Sequence, residues 1–130
     1  MLLTSKLLDE LSFRAKSIDR LRVNFNLHES SAESVQRLFN AMEPGTVIPV
    51  HRHLNAAETI VLLRGKLQIN YYDNDKKVIK SNILEPFSDS FGVHIPKGTW
   101  HGVDVLEPGT VIFEVKEGPY KPLKESEILK

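Results

Sequence analysis

From Leu21 onward the chain alternates apolar and polar residues in short runs, and turn-forming residues close each run. In the first, Leu21, Val23, Phe25 and Leu27 share one face, and Arg22, Asn24, Asn26 and His28 share the other, the period of a β-strand. Further strand-like runs are expected at Val35–Met42, Thr46–His53, Thr59–Leu63, Leu67–Tyr72, Val78–Leu84, Phe91–Ile95, Trp100–Leu106 and Thr110–Lys116. Between them lie Glu43-Pro44-Gly45, Arg64-Gly65-Lys66, Asp73–Lys76, the turn at Gly98 and a second Glu-Pro-Gly at Glu107-Pro108-Gly109. Proline presets φ and glycine accepts its positive values, so these are turns. Many short strands with regular turns specify an all-β sandwich or barrel.

One segment has a different period. Leu7, Leu8, Leu11, Ala15 and Ile18 recur at helical spacing, which predicts an amphipathic helix over Thr4–Asp19 with Thr4 or Ser5 as its cap. Its polar face mixes both signs of charge, which suits packing on the domain or on a partner subunit rather than on a membrane.

At 130 residues the chain is expected to form one domain with a real core. Lys+Arg and Asp+Glu balance at 17 each, so nothing points to nucleic acid. With no cysteine there is neither a disulfide framework nor a thiolate metal site. No apolar run approaches a membrane span, and Met1–Lys6 does not read as a signal peptide, so the expected address is the cytoplasm.

The residues with chemistry cluster in Gly45–Gly65, where His51 and His53 are followed by Glu58. Alternation puts both histidines on one strand face with Arg52 pointing away. Glu58 has the opposite parity, so Leu54–Ala57 must bend for it to join them. His101, after the Pro96–Gly98 turn, arrives from another strand. Imidazole and carboxylate donors without sulfur suit Zn, Fe, Mn or Ni, and four ligands leave a position for substrate or water. A bare His-x-His is more often a pair of ordinary histidines than a ligand pair.

The composite is more specific. Gly45, His51, His53, Glu58 and Gly65 match the first motif of the cupin superfamily, and Pro96, Gly98 and His101 match part of the second. Ser90 stands where that second motif begins with glycine, and Val105 where it ends with asparagine. Asn26–Ser30, Gln36-Arg37, Glu43–Gly45 and Phe113–Tyr120 resemble the WbuC family of cupin-fold metalloproteins, over roughly Leu21 to Pro122. The resemblance implies a small cupin (double-stranded β-helix, jelly-roll) barrel with a metal inside. The expected organisation is an N-terminal helix over 1–20, a metal-binding domain over 21–122 and a tail over 123–130. It also implies a setting in bacterial surface-polysaccharide (O-antigen) gene clusters and, as cupins commonly are, a homodimer. It supplies no reaction.

The reading that follows is a metal-dependent enzyme for a small polar molecule such as a sugar or nucleotide-sugar. A non-catalytic sugar or metabolite binder and an Fe-dependent dioxygenase use the same pocket. Glu114 and Lys116 share a strand face with Ile112, which either lines the cavity or is wet; inside, they are acid/base and anion-binding candidates. Tyr120, between two prolines, either covers the cavity mouth or anchors the tail. The face of Asn24, Asn26 and His28 either lines the cavity, hydrogen-bonds the barrel mouth or faces water, that of Gln68, Asn70 and Tyr72 is either pocket lining or an exposed face, and Arg37 either recognises an anion or is a solvated surface group. His94 is expected to be a buried, hydrogen-bonded histidine rather than a fifth ligand, and Trp100 core or cavity wall.

Overall fold

The computed structural model describes residues 1–130. One helix, α1 (Ser5–Lys16), precedes eight strands: β1 (Arg22–Asn26), β2 (Val35–Met42), β3 (Glu58–Arg64), β4 (Leu67–Tyr72), β5 (Val78–Leu84), β6 (Gly92–Ile95), β7 (His101–Val105) and β8 (Thr110–Glu117). They form two antiparallel sheets in the orders β1-β2-β8-β3-β6 and β5-β4-β7. This is the small jelly-roll barrel with a short N-terminal helix that the alternation and motifs specify.

The larger sheet is apolar on both faces near its middle, which explains why it can be covered on both. On the inner face Met42, Ile60, Leu62 and Ile112 pack against Leu67, Ile69 and Leu84 of the smaller sheet. On the outer face Val23, Phe39, Ala41 and Val111 pack against Leu11 and Ala15 of α1. Burying a side chain such as Leu11 contributes about 2 kcal/mol, so the helix is held chiefly by this face. Thr4 caps it by accepting from the Leu7 N–H at 3.2 Å, and Arg14 and Lys16 lie at its negative end. Arg64 of β3 pairs with Asp9 at 2.6 Å and donates to the Ser5 carbonyl, fixing the helix in place. The helix stops short of Asp19 because the Ser17 N–H turns back to the Arg14 carbonyl, which leaves Ile18 outside and 41% exposed.

Two segments depart from the expected pattern in ways that matter for the site. Thr46–Val50 is not a strand, although Thr46–His53 alternates. Pro49 has no N–H to give a ladder, and only His51 pairs, in an isolated bridge to His101. The closing residues are not a loose tail. They make a short 3-10 turn at Glu125–Glu127, after which Ile128 pairs with His51. The Arg52 N–H donates to the Glu127 carbonyl and the Leu129 N–H to the Val50 carbonyl, both at 2.9 Å. The His-x-His segment is thus held between β7 on one side and the C-terminal segment on the other.

Candidate metal centre

The four expected ligands meet where the two sheets approach each other. Glu58 opens β3 in the larger sheet, paired with Lys116 of β8 and Ile95 of β6. His101 opens β7 in the smaller sheet, paired with Tyr71. His51 joins them by exchanging both backbone hydrogen bonds with His101, at 3.0 and 2.9 Å. The change of parity between His53 and Glu58 is made by bends at Leu54 and Asn55. Carboxylates hold that bend, since the Leu54 N–H donates to Glu127 Oε2 and the Ala57 N–H to Glu117 Oε1, both at 2.9 Å. Arg52 points away from the histidines, its guanidinium 4.2 Å from the centre of the buried Trp100 ring.

One ligand atom from each of His51, His53 and Glu58 lies within 4.8 Å of the others. Ligands about 2.1 Å from an ion stand about 3 Å apart when adjacent and about 4.2 Å apart when opposite, so a small contraction closes this group on a metal. The His101 ring lies 4.4 Å from His51 and 6.2 Å from His53, centre to centre, and its Nε2 is 2.8 Å from Glu58 Oε1.

The ring orientations are set from behind. His51 Nδ1 lies 2.8 Å from the Pro49 carbonyl, and His101 Nδ1 lies 2.9 Å from the Thr99 carbonyl. A carbonyl only accepts, so each Nδ1 carries the proton and each Nε2 faces the cluster. This arrangement fixes the tautomer of metal-ligating histidines. The donor atoms of His51, His53 and Glu58 therefore fit a metal ion, and the His101 ring stands beside them.

Charge at the cluster follows from burial and pairing. Burial pushes the His51 imidazole down to about 4, helped by the neighbouring His101. Burial also lowers His53. For Glu58, burial acts upward, but the hydrogen bond and charge of His101, with the charges of His53 and Lys116, outweigh it and hold the carboxyl at about 2. For His101, burial acts downward and is outweighed by Glu58, so its net shift is upward. Near neutrality the metal-free site thus has two neutral imidazoles beside one proton-sharing Glu58–His101 pair.

The cavity over the cluster is about 340 Å³. Glu114 and Lys116 line it, because α1 already covers the opposite face of β8. Burial, then the charge of Glu58, raises the Glu114 carboxyl to about 7. Tyr120 lies at the mouth, half exposed, with its backbone N–H donating to the Ser31 carbonyl. Asn24, Asn26 and His28 sit on the open rim at the β1 edge.

The other candidates lie elsewhere. His94 is exposed on β6, within 3.0 Å of Thr59 Oγ1, and not buried as its place before Pro96 suggested. Thr59 and His94 are register partners, on the parity opposite to Glu58 and Ile95, which turns both outward. Gln68 and Asn70 hydrogen-bond each other on the outer side of β4, where Asn70 is buried rather than exposed because Gln68 and Ser81 donate to its Oδ1 and it donates to Asp104. Arg37 lies outside, 3.9 Å from Glu33. Arg20, Arg22 and Asn40 line the cavity as well. For Arg22 and Asn40, strand parity with Asn24 and Met42 is the signal, but it does not say which face turns inward.

A family described as a domain of unknown function, DUF6016, has a model that matches residues 3–84. The chain belongs to this family. No curated protein matches this DUF6016 chain. Among solved structures, KdgF from Halomonas sp. is 15% identical with a TM-score of 0.61, covering 77% of this chain and 82% of its own. CapF, solved with the inhibitor 3-isopropenyl-tropolone, is 21% identical with a TM-score of 0.65, over 81% of this chain but only 30% of its own. The cupin domain of Schizosaccharomyces pombe Cnp3 is 12% identical with a TM-score of 0.58, over 75% of this chain and 60% of that one. At such identities the likeness is one of fold, and the fold is that of the cupins. No helix is long and apolar enough to cross a membrane.

Proposed function

We propose that this chain is a WbuC-like metalloprotein, a metal-dependent enzyme acting on a small polar substrate such as a sugar or nucleotide-sugar in bacterial surface-polysaccharide assembly. The observation that carries the enzymatic part is the company the metal ligands keep. Glu114 and Lys116 share the cavity with the His51–His53–Glu58–His101 cluster. A carboxyl inside that cavity can take and give a proton, as general acid–base catalysis requires. A bound divalent ion, Zn, Fe, Mn or Ni by its donors, supplies Lewis-acid polarisation of a carbonyl or hydroxyl oxygen. The chain's own part is to hold that oxygen near His51 and His53, to move a proton at a Glu114 carboxyl oxygen, and to offset charge with Lys116. Tyr120 closes the mouth and serves as a second proton donor.

The polysaccharide setting rests on the sequence resemblance alone. The same reading places the metal-binding unit within residues 21–122, in a cytoplasmic homodimer.

Incubation of metal-loaded protein with a panel of nucleotide-sugars in D2O, followed by proton NMR, tests this reading. Product or solvent-deuterium exchange is expected, and Glu114→Gln is expected to slow it by about 10²–10⁴-fold. Tight binding without exchange overturns the enzyme and leaves a non-catalytic binder.

A further inference from the structure

The cavity has a second polar end that the metal cluster does not use. On the β1–β2 ladder Arg22 is the register partner of Met42, and Asn24 is the partner of Asn40. The metal end of the same sheet is marked by Gln36, beside Lys116, which is beside Glu58. Gln36 and Met42 are six residues apart on β2, on the order of 20 Å of strand, a distance the inward reach of the side chains shortens. Arg20, Arg22, Asn24 and Asn40 all line the cavity that also holds the histidines.

Three observations show that this end lacks a partner. First, none of the chain's ion pairs includes Arg20 or Arg22. Arg22 is half-buried, and burial and then the charge of Arg20 lower its pKa, so two cations crowd one wall without a counter-charge. Second, the two guanidinium groups are positioned but not used up. Arg22 Nη1 donates to Thr46 Oγ1 at 3.2 Å and to the Val47 carbonyl at 2.9 Å, and Arg20 Nε donates to the Arg22 carbonyl at 3.2 Å. Arg22 Nη2 and the terminal nitrogens of Arg20 remain to donate. Third, Asn40 Oδ1 is buried with no hydrogen-bond partner, an unfavourable arrangement that an arriving donor would relieve.

We propose that Arg20 and Arg22 form an anion subsite for the phosphate or carboxylate of an extended, hydroxyl-bearing substrate, with Asn40 and Asn24 taking its hydroxyl groups between that anion and the metal end. Guanidinium groups suit this task because their planar donors pair with two oxygens at once. This deepens the reading of a sugar-type substrate and rests on it for the identity of the far end. The subsite itself does not use the metal, so its test stands apart from that reading.

Titration of ¹⁵N-labelled protein with inorganic phosphate and with malonate, with glucose as the neutral control, tests the subsite in zinc-loaded and in EDTA-treated samples. Saturable shifts at the side-chain N–H signals of Arg20 and Arg22 and at the amides of Asn24 and Asn40 are expected, with dissociation constants of about 1–10 mM for so small a probe. Arg22→Gln is expected to weaken them about tenfold, and Arg20→Gln, which leaves the contacts to Thr46 and Val47 intact, about threefold. Stronger binding of phosphate than of malonate assigns the anion as phosphoryl, and the reverse assigns it as carboxylate. Shifts that fail to saturate, that are unchanged in both variants, or that centre on the histidines and Lys116 overturn the subsite. A protein that binds phosphate at Arg22 yet takes up no metal overturns the proposed function and leaves the subsite standing.

Discussion

Substitution of Gly65 measures how tightly the barrel is closed at the turn between β3 and β4. Gly65 has φ of +82°, where a side chain is strained, and an added Cβ would lie 2.2 Å from Thr110 Oγ1 and 2.6 Å from Thr110 Cα. Thr110 has no room to retreat. It is fully buried, accepts from the Lys66 N–H at 3.2 Å and donates to the Glu107 carbonyl at 2.8 Å. The left-handed backbone costs an alanine about 1–2 kcal/mol, and forcing atoms into a packed site costs about 1–3 kcal/mol more. Gly65→Ala is therefore expected to destabilise by about 2–5 kcal/mol. Gly98 isolates the two contributions. Its φ is +77°, but an added Cβ meets nothing within 4 Å, so Gly98→Ala is expected to cost only the backbone strain, about 1–2 kcal/mol. Urea unfolding of both variants in EDTA, where no metal contributes, gives the comparison. A Gly65→Ala loss no larger than that of Gly98→Ala refutes the argument that Thr110 blocks the turn.

Other expectations concern the site. Glu114 has an ordinary carboxyl value of 4.5 and is raised to about 7. The folded state therefore holds its proton longer than the unfolded state, and stability falls as pH rises through that window. Metal-free wild type is expected to lose about 2–3 kcal/mol relative to Glu114→Gln between pH 4.5 and 8, and parallel urea-stability profiles contradict this. His101 must give up the proton it shares with Glu58 when an ion binds, whereas burial lowers both His51 and His53 and favours their neutral forms. Near pH 7, binding is expected to release up to about one proton per ion, measured by calorimetry in buffers of different ionisation enthalpy, and His101→Gln is expected to reduce that release. Glu127 holds the Leu54 N–H behind the histidines, so Glu127→Ala is expected to lower metal affinity about tenfold in competition with a chelating dye. Unchanged affinity shows that the bend holds without it.

Much of this fold is legible in the chain. Val35–Met42, Leu67–Tyr72 and Val78–Leu84 fold as strands over the expected residues, each run closed by turn residues. The parity break between His53 and Glu58 requires a bend, and Leu54 and Asn55 make it. What alternation does not contain is the choice of inner face. Glu114 and Lys116 on one side of β8, and Val111 and Phe113 on the other, are equally regular, and the decision comes from α1 settling on the second side. Arg22, on the polar side of β1, is not marked as a cavity residue by its sequence for the same reason. Pairing between distant segments is also not local information. Nothing near Glu127 signals that it reaches Leu54, and nothing near His51 tells that Pro49 leaves it a bridge rather than a strand.

The decisive measurement is the metal content of the protein purified without added metal, by elemental analysis, set beside a His51→Ala, His53→Ala double variant shown to be folded by circular dichroism. Close to one transition-metal ion per chain in the wild type and close to none in the double variant is the expected result. Equal metal content in the two proteins contradicts the site.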